Sequence, residues 1–238
     1  MTWQDIWSMI EELWAALVVA WRQLWPLIWQ GTQDTLYMTL WSALFAYILG
    51  LPLGVLLVVT KRGRIMAAPT FNTILGAVIN FLRSIPFIIL MAMLLPVTRF
   101  VMGNALGTRS VIFPLFISAF PYVARMVEGS LDEVDHGVLE AAQSMGSTNG
   151  QIIFKVLLPE AIPSLVNGAA IVITTILAYT AMASAVGGSG LGALAITKGY
   201  QARKYEILYG ASIALVILVQ FFTVSGTRLS RWLDHRKK

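Results

Sequence analysis

Long uncharged runs, not alternation, set the first reading of this chain. Residues 35–60 carry 26 consecutive uncharged residues, residues 207–227 carry 21, and residues 161–197 carry 37. A helix crossing about 30 Å of hydrocarbon needs roughly 20 residues. Residues 84–98 and 110–124 hold 15 each, and reach spanning length if Arg83 and Arg125 sit near helix ends and snorkel. The pattern predicts five spans, near 35–60, 74–98, 110–127, 163–186 and 207–226. The period-two alternation of a membrane barrel is absent. Pro52, Pro86, Pro96, Pro114 and Pro121 fall inside these spans. Either membrane helices simply tolerate proline, or the freed carbonyls mark points where helices pack or line a cavity.

Two segments outside the spans have patterns of their own. In residues 1–30, Trp3, Trp7, Ile10, Trp14, Leu17, Trp21, Leu24 and Ile28 recur three or four apart, one face of a helix. Six tryptophans in thirty residues suit the headgroup level of a bilayer. With Asp5, Glu11 and Glu12 against Arg22, the segment is acidic and is expected to lie on the outer interface. A short sixth span near residues 13–28, with the N-terminus inside, is the alternative. The other segment, residues 128–163, is the longest polar stretch between spans. It predicts a helix near 137–145 closed by a left-handed Gly146. A second helix opens with the capping box Thr148…Gln151 and is expected to stop at Pro159.

Composition agrees: 57% of the 238 residues are hydrophobic, 12% are charged, and the mean hydropathy is +0.73. A soluble domain carries about 25% charged residues. With no cysteine there is no disulfide framework, thiol nucleophile or thiolate metal site. If the loop after the first span is cytoplasmic, 11 Lys and Arg lie inside and 6 outside. That split predicts the N-terminus outside and the C-terminus inside, with 229–238 a basic tail against the inner leaflet. The net charge of +5 therefore reads as topology, not nucleic-acid binding. All twelve acidic residues fall outside the predicted spans or at their ends, against an ion-coupled secondary transporter or channel. His136 and His235 lie in a loop and the tail without a metal or protease motif, against an intramembrane enzyme. There is no phosphate loop for ATP. Gly188-Ser189-Gly190-Leu191-Gly192-Ala193 fits a dinucleotide fingerprint only superficially, because a membrane helix precedes it; it is expected to be a flexible outer turn.

Glu140-Ala141-Ala142, then Gly146, then Val156-Leu157-Leu158-Pro159 resembles the EAA loop of permease subunits of ATP-binding-cassette importers. Val156 stands where isoleucine is common, and Ser147 where alanine often follows the glycine. Phe81-Leu82-Arg83-Ser84-Ile85-Pro86-Phe87, Pro121-Tyr122-Val123-Ala124-Arg125-Met126-Val127-Glu128 and Tyr179-Thr180-Ala181-Met182 extend the resemblance, across residues 35–228, to permeases of bacterial methionine importers.

That resemblance implies an all-α polytopic membrane protein with the type I importer permease fold. It would have five core helices after the tryptophan-rich N-terminal helix, with a permease domain over 31–228. It implies a homodimer in the bacterial cytoplasmic membrane with two separate ATP-binding subunits, which hold the ATP and Mg. An extracytoplasmic substrate-binding lipoprotein would deliver the ligand, and this chain would bind no cofactor. Glu140, Ala141, Ala142, Met145, Gly146, Leu158 and Pro159 would couple to the ATPase. The cargo would be methionine, or another small amino acid. The small-residue run 168–186 would line the path or simply pack, with Tyr179, Met182 and Ser184 beside it. Tyr179 and Met182, three apart, would share a face, and Met182 from two copies would plug the path. Arg83 and Ser84 would touch the path, pair with a loop carboxylate, or sit at the inner interface. Arg125 and Glu128 would pair across one turn.

Overall fold

The structure is a computed structural model that describes the backbone of residues 3–234 and the side chains of residues 22 and 24–234. Hydrophobic runs become helices throughout, in the order α1 (Trp3–Val59), α2 (Pro69–Ser84), α3 (Phe87–Met102), α4 (Thr108–Asp132) and α5 (His136–Ser144). They continue with α6 (Asn149–Val186), α7 (residues 191–201) and α8 (Tyr205–Leu233). Four stretches are long and apolar enough to cross a membrane: Leu24–Val59 within α1, α4, α6 and α8. α2 and α3 pass that test only as a pair, bent by 102°.

The core forms where α1 lies on α4. A Cβ added at Gly50 would stand 2.7 Å from the Phe120 carbonyl oxygen and from Val123. One at Gly54 would stand 2.6 Å from the Ala124 carbonyl oxygen and from Val127. This Gly-x-x-x-Gly spacing lets two backbones touch, which in lipid is a principal source of helix association. α8 closes on α6 by the same means, since a Cβ at Gly226 would stand 2.2 Å from that of Ala170. Exposed side chains on the outer helices are large and apolar, among them Ile213, Ile217 and Phe221 of α8.

The bundle has two ends. At the loop end, α5 hangs between α4 and α6, and charges join three helices. Lys61 bridges Glu128 (2.9 Å) and Asp132, Arg64 reaches Asp132 (3.2 Å), and Arg125 holds Glu128 (2.6 Å) while donating to the Gly76 carbonyl of α2 (2.9 Å). Partial burial pulls the Lys61 ammonium down, but its bonds to Asp132 and Glu128 outweigh this and hold it above the ordinary lysine value. The stabilisation is thus complete at neutral pH and is lost only as pH climbs through that raised value. At the other end, the turn end, the glycine segment 187–190 docks against α1 and α4.

Four expectations need correction. The span near 74–98 is two helices broken at Ile85-Pro86, because Pro86 bars an α conformation at the residue before it; Ile85 is extended (φ −82°, ψ 121°). The N-terminal segment is not separate at residue 30. α1 runs through that point, and Leu24, Leu27 and Ile28 pack with Leu191, Leu194 and Ile207. The tryptophan face of residues 1–21 and the tail residues 235–238 lie outside the described residues; Arg228 and Arg231 are still helical in α8. Pro159 does not end its helix. A wide turn over Ile152–Leu157 comes first, where Leu158 N–H donates to the Ile153 carbonyl five residues back. The hydrogen-bond ladder has already shifted where the proline N–H is missing. Finally, the glycine turn is pinned, not flexible. Ser189 Oγ donates to Asp34 (2.5 Å), Ser189 N–H donates to Thr108 Oγ (3.1 Å), and Leu191 N–H donates to Thr35 Oγ (2.8 Å).

Candidate functional site

The loop-end platform is built by local chemistry. Asp135 caps α5, its carboxylate accepting from Gly137 N–H (2.6 Å). Gly146, at φ +77°, closes it: Gly146 N–H donates to Gln143 and Ser147 N–H to Ala142, the paired bonds of a left-handed helix stop. Two residues on, Thr148 Oγ accepts from Gln151 N–H (3.4 Å) and Gln151 Oε1 accepts from Thr148 N–H (2.9 Å), the expected capping box. Both helix ends are therefore satisfied without help from any neighbour.

This rigid hairpin presents one face outward. Met145 is 79% exposed and Phe154 70%, with Glu140, Ala141, Gly146 and Val138 around them. Large apolar side chains, exposed at the polar end of the molecule on a capped scaffold, are the composition of a docking surface. The predicted coupling residues divide here. Glu140, Ala141, Met145, Gly146 and Pro159 are exposed; Ala142, 4% exposed, and the half-buried Leu158 pack against the bundle and hold the platform in place. Glu140 also lies 3.8 Å from His136. Phe154 was missed from the sequence, because inside Ile152-Ile153-Phe154 nothing local distinguishes the one residue that points out.

The predicted path residues do not form one cluster. Tyr179 stacks flat on Phe87 of α3, with ring centroids 4.8 Å apart and planes 7° apart. Met182 stands outside that contact, 40% exposed, on the tighter final turn Ala181–Val186. The shared face expected of these two is therefore not seen. Ser184 is half-buried on the same turn. Ser84 donates back to the Asn80 carbonyl (2.8 Å) in its own helix. Arg83, at the end of α2, holds its guanidinium carbon 5.4 Å from the Tyr122 ring centre. Arg125 and Glu128 pair as expected (2.6 Å). Arg83, Tyr122, Arg125, Ser164 and Asn167 line a cleft of about 530 Å³ between α2, α4 and α6. No cluster of potential metal ligands occurs among the described residues.

Known proteins share this arrangement. The sequence profile of the family described as binding-protein-dependent transport system inner membrane component matches residues 50–238. The chain is 44% identical, over 90% of its length and 99% of the relative's, to a probable D-methionine transport system permease protein of Pasteurella multocida. It is 41% identical to the methionine import system permease protein of Bacillus subtilis, over 88% of this chain and 94% of that one. The solved structure of inward facing conformations of the MetNI methionine ABC transporter superposes with a TM-score of 0.87 at 42% identity, covering 90% of this chain and 99% of that one.

Proposed function

The chain belongs to the family of binding-protein-dependent transport system inner membrane components, and from that premise we propose how it works as the permease subunit of a methionine importer. The subunit is a transport component, not an enzyme. Two copies pair in the cytoplasmic membrane, each docked on a separate ATPase that binds ATP and Mg. A substrate-binding lipoprotein delivers the amino acid on the far side. The loop end faces the cytoplasm, which places the C-terminus inside. The N-terminus lies outside.

The observation that supports the coupling role is the capped hairpin with Glu140, Ala141, Met145, Gly146 and Phe154 on its exposed face. ATP-driven closure of the ATPase pair moves these hairpins, and α6, continuous with the hairpin's second helix, carries the motion to its far end. There Met182 of each copy seals the path; a flexible, apolar thioether closes a gap without locking it.

Two experiments test this. Tagged chain from its native membranes is expected to bring down an ATPase and a lipid-anchored binding protein. Gly146→Arg is expected to lose the ATPase while keeping the same thermal melt; an unchanged pull-down removes the docking assignment. Met182→Ala is expected to raise methionine leak from loaded vesicles several-fold, and a leak equal to wild type places the gate elsewhere.

A further inference from the structure

The cleft beside α2 holds an arginine for which the bundle provides no counter-charge. Among the described residues, every ion pair at the loop end is made by Lys61, Arg64 or Arg125, or by His136. Arg83 is not part of that network. Its guanidinium lies against the Tyr122 ring, an exposed cation held by an aromatic face. That contact orients the guanidinium but leaves its donors for another acceptor. On the same wall Arg125 keeps a buried Nε that no acceptor reaches among the described residues. Met126 and Ile171 line the cleft beside them with apolar surface.

The charge changes sign along the groove. The cleft shares Ser130, Glu133, Ser164 and Asn167 with a second cavity of about 520 Å³, which reaches Glu160 and Asp234. From Tyr122 to Glu133 along α4 is about 16 Å at 1.5 Å per residue. One end of the groove is thus cationic and the other, at the loop end, is lined by carboxylates.

We infer that Arg83 is a carboxylate station on the translocation path. It binds the α-carboxylate of a zwitterionic amino acid while Met126 and Ile171 take an unbranched apolar side chain, and the ammonium group is then drawn toward the carboxylate-lined end. The inference rests on the importer reading and names the residue by which the path holds its cargo. Bidentate carboxylate recognition is what a guanidinium does better than an ammonium, so lysine replaces it only in part.

The test uses the whole complex, permease with ATPase and binding protein, in proteoliposomes. Tritiated L-methionine uptake and binding-protein-stimulated ATP hydrolysis are measured side by side for wild type, Arg83→Gln and Arg83→Lys. A lost charge-assisted hydrogen bond corresponds to about a 10- to 100-fold effect. Arg83→Gln is expected to lower uptake per ATP hydrolysed by that factor with stimulated hydrolysis kept, and Arg83→Lys to recover part of it. In detergent, the wild-type complex without binding protein is expected to retain tritiated L-methionine against excess methioninol, which lacks the carboxylate, and Arg83→Gln to retain none. Wild-type uptake by Arg83→Gln overturns the station. So does equal loss of uptake and stimulated hydrolysis in both variants, which is the mark of a structural role. A wild-type complex that hydrolyses ATP but moves no methionine overturns instead the reading on which the station rests.

Discussion

Two glycine turns end helices in this molecule, and they use glycine for opposite reasons. At Gly146 the backbone is left-handed (φ +77°) and a Cβ there would meet open space. At the turn end, a Cβ on Gly190 (φ +111°) would stand 2.8 Å from Thr35 Oγ, and one on Gly192 would stand 2.2 Å from the Ala181 Cα. The first turn is completed by its own backbone and leaves its surroundings empty. The second is completed by residues remote in sequence and leaves no room. An empty site around a fixed backbone suits a surface that another molecule will cover; a filled one holds helices together.

Substitutions can break this contrast, and the largest effect is expected where space is lacking. Gly192→Val forces α7 off the end of α6, costing about 3 kcal/mol or more; the thermal melt in detergent should fall sharply, and an unchanged melt would mean the two backbones are not in contact. Phe154→Asp is expected to leave the melt unchanged and to cut ATPase co-purification about tenfold, the scale of one interface anchor. Equal losses of melt and partner would make Phe154 a packing residue and erase the distinction between the two ends. Gly146→Ala is the smallest. It should cost about 1 kcal/mol of local strain, visible as faster amide exchange at the end of α5 with ATPase capture nearly intact.

The same contrast explains what was legible in the sequence. The loop end was readable because its bonds are local: Asp135 to Gly137, Thr148 to Gln151, Gly146 to Gln143. The turn end was not, because Ser189 finds Thr108 and Asp34 81 and 155 residues away, and nothing in a glycine-rich string announces such partners. Proline misled in two directions. Pro86 was placed inside a continuous span that it breaks, and Pro159 at a helix end that it does not make. Hydropathy counts residues between charges and is blind to direction, so the bend of 102° and the wide turn before Pro159 both escaped it. The Gly50–Gly54 contact passed unremarked for a related reason: its spacing is in the sequence, but the backbone it touches is not. Of the residues assigned to the path, only the pairing of Arg125 with Glu128 followed from spacing alone.

The wide turn over Ile152–Leu157 carries a consequence for how this chain tolerates change in length. Such a turn contains one residue more than an α-helix would use. It therefore fixes the phase between hairpin and span: each residue added or removed swings the hairpin by about 100° about the helix axis. Deleting one residue there would regularise the hydrogen bonding and improve the helix as a helix, yet aim Phe154 and Met145 away from whatever they engage. Length at this joint is set by angular timing, and a better-formed helix would be a mistimed one.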